Sequence, residues 1–202
     1  MELQWFMMKA SEHFKGYLTQ LIDGLVTVDV KVMDQIVDEL VQAHSSGTNI
    51  FVCGNGGSAA ISDHLVCDHS KGVNWDTGFL PQIQSLSSNM SLLTAIANDI
   101  GYDEVFSYQL KMKANQGDIL IVISSSGNSP NIVKALLHAR RAGLKTIALV
   151  GFDGGQALNL AEHVLHVNSN NYGIVEDAHQ TLMHIMAQSI RLSHLNRHNI
   201  KL

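Results

Sequence analysis

The sequence predicts an α/β protein whose core is a five-stranded parallel sheet covered by helices. From residue 49 onward, five short runs of strand-forming residues alternate with helical patterns, which is typical of strands joined by right-handed helical crossovers. Two of these runs, residues 118–124 and 145–151, are nearly all apolar. Such runs indicate central strands that are covered on both faces.

Two amphipathic helices are predicted ahead of the sheet. Apolar residues recur at spacings of three and four through residues 14–25 and again through residues 33–41, which is the period of a one-sided helical stripe. Each stripe needs a partner surface, and the sequence leaves open whether the domain's own sheet or another subunit supplies it.

The remaining elements follow in order along the chain. The five predicted strands occupy residues 49–54, 81–87, 118–124, 145–151 and 163–168, and a long helix containing Leu182 and Ile190 closes the pattern. A chain of 202 residues is long enough for one well-buried core. We therefore predict a single domain over residues 1–202, with oligomerisation helices in about 1–46 and the α/β core in 47–194.

Composition and charge restrict the classes of partner. The net charge of -5 gives no general attraction to nucleic acid or to an anionic membrane, so direct nucleic-acid binding is not expected. No apolar run reaches the roughly 18 residues of a spanning helix, and the N-terminus lacks the pattern of a secretory signal. We expect a cytoplasmic protein. Cys53 and Cys67 form no CxxC pair and are predicted to be buried small hydrophobic residues without chemistry.

Two polar elbows follow the first and third predicted strands. Each lies where a helix begins, so free backbone N–H groups and the helix dipole favour an anion there. Either elbow alone is also typical of an ordinary strand-to-helix turn, but both face the same crevice of a doubly wound sheet, where ligands bind. The candidate phosphate-binding residues are Asn55, Gly56, Gly57, Ser58, Ser124, Ser125, Ser126 and Ser129.

A nucleotide is a weaker interpretation of the same elbows. Gly54, Gly56 and Ala59 match the G-x-G-x-x-A dinucleotide pattern, but no acidic residue ends a second strand about 20 residues later. The lysine-bearing phosphate loop of ATPases is also absent. A single phosphate on a small molecule therefore fits better.

Acid–base groups follow the first elbow and recur in the last helix. His64 and Asp68 share one face of a predicted helix, although an exposed ion pair is the commoner meaning of this spacing. Glu176 and His184 lie about 12 Å apart along a regular helix, which is long for two ligands of one ion. Two imidazoles and two carboxylates suit Zn²⁺ or general acid–base catalysis, and the sequence does not decide between them.

The chain resembles the sugar isomerase (SIS) domain family and, within it, the phosphoheptose isomerases. The resemblance runs from about residue 10 to residue 192. It rests on the closing helix with His184 and on the segments "CGNGGS", "LTAIANDIGYDEVF", "GDILIVISSSGNSPNIVKAL" and "LVGFDGG". It implies a three-layer αβα sandwich of flavodoxin- or Rossmann-like type, and a homotetramer with active sites between subunits.

The resemblance also implies the chemistry and the roles of individual residues. The family interconverts ketose and aldose phosphates, here sedoheptulose 7-phosphate and D-glycero-D-manno-heptose 7-phosphate, through an enediol and in heptose or polysaccharide biosynthesis. By motif, Asn55, Ser58, Ser124, Ser126 and Ser129 would hold the sugar phosphate and Asp99 would contact the substrate. Asp68 and His184 would be catalytic. Zn²⁺ would be bound by His64, Asp68, Glu176 and His184.

Three departures from the family pattern bear on the substrate. Asp68 stands where glutamate is usual, Glu176 stands where glutamine is usual, and near Lys71 the usual arginine is missing. The alternative function is non-catalytic: phosphosugar binding, or a scaffold for a replication initiator like the protein DiaA, which shares the fold. His64 and His184 together with an acid at position 68 favour the enzyme, because a scaffold does not need paired acid–base groups.

Overall fold

The computed structural model describes residues 9–197 as nine α-helices, five strands and two short irregular helices. Residues 1–8 of the predicted N-terminal segment and residues 198–202 lie outside the described part. The helices are α1 Ala10–Leu25, α2 Val30–Ser46, α3 Gly57–Cys67, α4 Asn74–Thr77, α5 Met90–Asp99, α6 Ser107–Lys113, α7 Pro130–Ala142, α8 Ala157–Leu160 and α9 Tyr172–Arg197. The strands are β1 Asn49–Gly54, β2 Gln82–Ser85, β3 Ile119–Ser124, β4 Lys145–Val150 and β5 His163–His166. A π-helix spans Asp68–Val73 and a 3₁₀-helix spans Tyr102–Glu104.

The five strands form one parallel sheet in the order β2-β1-β3-β4-β5. This confirms the predicted α/β class, and the two nearly apolar runs are the interior strands β3 and β4. The strand order reverses between β1 and β3, because the chain first adds β2 on one side and then β3 on the other. In a doubly wound sheet this reversal opens a crevice beyond the carboxyl ends of the two strands.

Helices cover both faces of the sheet, which gives the predicted three layers. Along β3 the side chains alternate: Ile121 and Ile123 pack in the layer of α2, α3 and α9, whereas Leu120 and Val122 pack in the layer of α7. This alternation follows from the two-residue period of a strand. Because both faces of β3 are buried, its sequence is a nearly unbroken apolar run.

The two N-terminal helices differ in what covers their apolar stripes. On α2, Ile36 and Leu40 are fully buried within the layer beside the sheet. Helix α1 is held to α9 by a hydrogen bond from Tyr17 Oη to Asp177 Oδ2 (2.7 Å), but Phe14 and Ile22 are 62% and 60% exposed. The domain's own core therefore covers the stripe of α2 and leaves part of the stripe of α1 uncovered.

The two cysteines have different environments. Cys53, on β1, is buried, and burial raises the pKa of its thiol, so it behaves as the predicted hydrophobic residue. The prediction was wrong for Cys67, which is exposed because it ends α3 on the face turned away from the core. Among the described residues, no helix is long and apolar enough to cross a membrane.

Three histidines are buried within the described residues. His44 on α2 and His69 in the π-helix meet with Nε2 and Nδ1 2.8 Å apart, and His179 on α9 is fully buried. Burial lowers the pKa of His44 to about 4, of His69 to about 3 and of His179 to about 4. These rings are neutral at pH 7 and belong to the packed interior.

We expect the free energy of unfolding to fall as the pH is lowered from about 7 to 5. The pKa of His179 is about 4 in the folded chain and 6.5 ordinarily. Between these values the unfolded chain binds a proton that the folded chain does not, so stability is greatest above the ordinary pKa and is lost below it. Each such histidine contributes at most about 1.4 kcal/mol per pH unit.

Urea unfolding at a series of pH values measures this dependence. His179→Leu should flatten it, whereas His13→Leu, at an exposed position on α1, should leave it unchanged. Equal slopes for the wild type and His179→Leu would contradict the assignment of the low pKa to burial.

Candidate active site

The two predicted elbows lie side by side at the carboxyl edge of the sheet. Strand β1 pairs with β3, with Gly54 opposite Ile123, so the loops that follow these strands open onto one pocket. The pocket encloses about 390 Å³, part of it open to solvent. Its lining residues are Asn55, Ser58, Ile123, Ser124, Ser125, Ser126, Ser129, Tyr172 and Glu176.

Glycine is required in the first elbow because the chain folds tightly on itself. A Cβ atom on Gly54 would lie 2.5 Å from the carbonyl oxygen of Ser58. Gly56 has φ +53°, in the left-handed region, and Gly57 begins α3. These glycines shape the elbow and bring Ser58 to the pocket wall. Gly56 and Gly57 are not among the lining residues, so their predicted contact with substrate stays a prediction.

The second elbow joins β3 to α7. Pro130 is the first residue of α7, a position that suits proline because the first helical N–H groups have no partner within the helix. Six of the eight predicted phosphate-binding residues line the pocket, four of them serines of this elbow. Hydroxyl groups can donate hydrogen bonds to an anion without adding charge.

His64, Asp68 and His184 form a second group where α3 and the π-helix pack beside α9. His184 Nδ1 lies 2.8 Å from Asp68 Oδ2, and His64 Nε2 lies 3.5 Å from Asp68 Oδ1. The two imidazole rings meet edge to face with centroids 4.9 Å apart. Both predicted catalytic residues are therefore in direct contact.

Gln180 joins the two imidazole rings of this group. Its amide nitrogen lies 2.9 Å from His64 Nδ1 and 3.0 Å from His184 Nε2. The opposite nitrogen of each ring, His64 Nε2 and His184 Nδ1, faces the Asp68 carboxylate. The tautomer of each ring decides which of its nitrogens carries the proton and which offers a lone pair.

The ligand atoms of His64, Asp68 and His184 fit a zinc ion in kind and in spacing. One ligand atom from each residue can be chosen so that all lie within 4.8 Å of one another, and imidazole nitrogen with carboxylate oxygen is a donor set that Zn²⁺ accepts. Each of the three side chains is partly exposed, which leaves a side open for substrate.

Glu176 and Asp99 lie apart from this group. Glu176 lines the serine pocket, where its carboxylate lies against Gly57. A Cβ atom added to Gly57 would lie 2.5 Å from Glu176 Oε2. Glu176 lies within α9, about two turns before His184, so its carboxylate is not grouped with the other three predicted zinc ligands. Asp99 is exposed at the end of α5, accepts a hydrogen bond from Asn98 (2.8 Å) and is not among the pocket lining.

Four residues near the site were not assigned a role from the sequence. Gln180 lies four positions before His184, and this helical spacing is a signal that could have identified it. Tyr172, Tyr102 and Asn131 carry no such signal. Tyr102 Oη donates to Asn55 Oδ1 (2.9 Å) across 47 positions of sequence, and Asn131 contacts the same amide.

Comparison with known proteins identifies the family. The SIS domain family model matches residues 13–151. The phosphoheptose isomerase of Citrifermentans bemidjiense is 40% identical over 158 residues, which are 78% of this chain and 82% of that protein. The solved structure of the phosphoheptose isomerase GmhA from Neisseria gonorrhoeae aligns with a TM-score of 0.80 and 31% identity, covering 89% of this chain and 95% of that one.

A second solved structure agrees. A phosphoheptose isomerase from Francisella tularensis aligns with a TM-score of 0.81 and 28% identity, covering 91% of this chain and 98% of that one. The fold, the matching family model and the sequence identity over most of both chains point the same way. The chain belongs to the SIS domain family and, within it, to the phosphoheptose isomerases.

Proposed function

We propose that the protein interconverts sedoheptulose 7-phosphate, a ketose, and D-glycero-D-manno-heptose 7-phosphate, an aldose. The phosphoheptose isomerase relatives support this substrate. The observation that carries the proposal is that one pair of helices holds both halves of such a site. Ser58 and His64 lie on α3, and Glu176 and His184 lie on α9.

The spacing of the two halves fits a long sugar phosphate. His64 lies six positions after Ser58, a rise of about 9 Å along the helix. An extended chain advances about 3.5 Å over three bonds, so the bonds from C2 to the phosphorus of a heptose 7-phosphate cover roughly 8 Å. A phosphate in the serine pocket would therefore bring the carbonyl end of the sugar to the histidines.

The Asp68–His184 pair is suited to an enediol mechanism. In the ketose-to-aldose direction, one member removes a proton from C1 and the other delivers a proton to O2, which gives the enediol. The O1 hydroxyl then loses its proton as C2 gains one, so C1 becomes the carbonyl carbon and no redox partner is needed. Asp68 is one methylene shorter than the family's usual glutamate, yet it reaches His184 at 2.8 Å.

We also propose that His64, Asp68 and His184 hold Zn²⁺. The metal, when bound, would polarise the carbonyl oxygen and stabilise negative charge on it. Gln180 contacts both imidazoles and orients them. Glu176 is the proposed fourth member of the set, although its carboxylate lies in the serine pocket. We place the enzyme in the cytoplasm, in the synthesis of heptose-containing polysaccharide.

Removal of either catalytic group should abolish turnover without unfolding the protein. We expect Asp68→Asn and His184→Ala each to lower kcat for sedoheptulose 7-phosphate by about 10²- to 10⁴-fold, the usual contribution of a general acid or base. Asp63→Asn is the matched control, since Asp63 is exposed on α3, five positions before Asp68. Product formation is followed by NMR, and circular dichroism checks the fold.

Two outcomes would contradict the proposed catalytic function. If the wild type binds the sugar phosphate but zinc-replete protein gives no turnover, the non-catalytic alternative replaces the isomerase. If Asp68→Asn retains full activity, the assignment of the acid–base pair is wrong.

Metal binding can be measured apart from activity. After treatment with a chelator, the wild type should take up one Zn²⁺ per chain in a calorimetric titration. His64→Ala should weaken this binding by more than the roughly tenfold to hundredfold that loss of an outer-shell partner costs. His13→Ala, on α1, serves as the control. Zinc affinity that is equal in the wild type and in His64→Ala would place any metal elsewhere.

We propose a homotetramer in which helix α1 contributes to the subunit interface. Phe14, Ile22 and Val26, which directly follows α1, are 62%, 60% and 75% exposed, and α1 packs on its own chain mainly along α9. Burial of such side chains between subunits is favourable by about 25 cal/mol per Å² of apolar surface. The described apolar surface thus supports assembly through this helix.

Light scattering on size-exclusion fractions tests the tetramer. The wild type should have four times the mass of the chain, and Ile22→Glu should shift it toward smaller species. Gln20→Glu adds the same charge at an exposed position of α1 and should not. A monomeric wild type, or a tetramer unaffected by Ile22→Glu, would contradict the role given to α1.

A further inference from the structure

A reciprocal pair of side-chain amides joins the two phosphate elbows. Asn55 Nδ2 donates to Asn131 Oδ1 (2.9 Å), and Asn131 Nδ2 donates to Asn55 Oδ1 (2.9 Å). Asn55 belongs to the elbow after β1, whereas Asn131 is the second residue of α7, after the elbow of β3. Asn131 is 1% exposed, so its side of the pair is shielded from water, whereas Asn55 is half-buried and faces the pocket.

The orientation of both amides follows from a neighbouring backbone group. The backbone N–H of Ile132 donates to Asn131 Oδ1 (3.0 Å). A backbone N–H cannot accept a hydrogen bond, so this atom of Asn131 is the oxygen and its partner on Asn55 is the nitrogen. The remaining oxygen of Asn55 then faces the nitrogen of Asn131.

Tyr102 completes the set of contacts on Asn55. Its hydroxyl donates to Asn55 Oδ1 (2.9 Å), so this oxygen already accepts two hydrogen bonds. An amide oxygen has two lone pairs and has no further capacity here. Asn55 lines the pocket, and with these contacts made, the remaining hydrogen-bonding capacity of its side chain is one N–H of Nδ2. The side chain can therefore only donate toward a ligand, which suits an anion.

The 3₁₀-helix that carries Tyr102 is tied to α7, the helix of Asn131. Lys134 Nζ lies 2.5 Å from Asp103 Oδ2 and 2.8 Å from Glu104 Oε1. The hydrogen bond from Lys134 lowers the pKa of Glu104 to about 2, so this carboxylate stays ionised at neutral pH. Helix α7 thus positions Tyr102 and Asn131 together.

We propose that Tyr102 and Asn131 are positioning residues that hold the Asn55 amide with its free N–H toward the phosphate of the substrate. The identity of that anion as a sugar phosphate rests on the proposed function. Without these two contacts the amide can rotate about its last side-chain bond and present its oxygen, which repels an anion. Their effect on binding should therefore act through Asn55.

A double-mutant cycle between Tyr102→Phe and Asn55→Ala tests this positioning role. Calorimetry measures the Kd of sedoheptulose 7-phosphate and, separately, of inorganic phosphate. Tyr102→Phe should raise both Kd values by about threefold to tenfold, the range of one hydrogen bond, with a smaller change in kcat. In the Asn55→Ala background, Tyr102→Phe should have no further effect. Asn131→Ala should behave like Tyr102→Phe if it folds.

The control is Tyr108→Phe, which removes a tyrosine hydroxyl from the neighbouring helix α6 and should leave binding unchanged. The proposal is overturned if Tyr102→Phe does not weaken ligand binding, or if it weakens binding equally in the wild-type and Asn55→Ala backgrounds. A wild type that binds neither sedoheptulose 7-phosphate nor inorganic phosphate also overturns it. A wild type that binds phosphate but does not convert the sugar phosphate refutes only the proposed isomerase activity. The positioning role is still tested in that case, because the double-mutant cycle compares Kd values.

Discussion

The hydrogen bond between His184 and Asp68 depends on the packing of α9 against α3 and the π-helix. The two residues are 116 positions apart in the chain, yet Nδ1 and Oδ2 lie at 2.8 Å. Leu65 on α3 and Met183 on α9 are buried in the same hydrophobic layer on the sheet. Because interiors of this kind are close-packed, the layer sets the separation of the two helices and thus of the proposed acid–base pair.

The same packing relates the acid–base pair to the phosphate pocket. Each of the two helices begins near the carboxyl edge of the sheet, where Ser58 and Glu176 line the pocket, and carries a histidine further along. In the proposed reaction, a substrate held at one end would be presented to the other at a distance fixed by helical rise. Such positioning matters because a displacement of about 1 Å can cost roughly a hundredfold in rate.

Local sequence patterns predict much of the fold but only part of the site. Runs of strand-forming residues locate the strands, spacings of three and four residues locate the helices, and glycine with serine marks both elbows. The spacing of His64 and Asp68 predicts a shared face. The position of Glu176 in the serine pocket and the exposure of Cys67 could not be predicted in this way, because each depends on how separate elements pack.

Contacts across the chain explain what the patterns miss. The hydroxyl of Tyr102 meets Asn55 at a point where the 3₁₀-helix is tied to α7, and no periodicity encodes that approach. Gln180 is uncharged and is easily overlooked in the sequence beside the charged residues of α9. Its amide nitrogen nevertheless contacts both His64 and His184.

The central claim is that partly exposed acid–base groups move protons through an enediol. Turnover of sedoheptulose 7-phosphate in D₂O, followed by NMR of the aldose product, tests this most directly. His184 and Asp68 have side chains that are 38% and 26% exposed, so the proton taken from C1 should exchange with solvent and the product should carry deuterium at C2. Complete retention of the original C1 hydrogen at C2, with no solvent deuterium, would contradict the account.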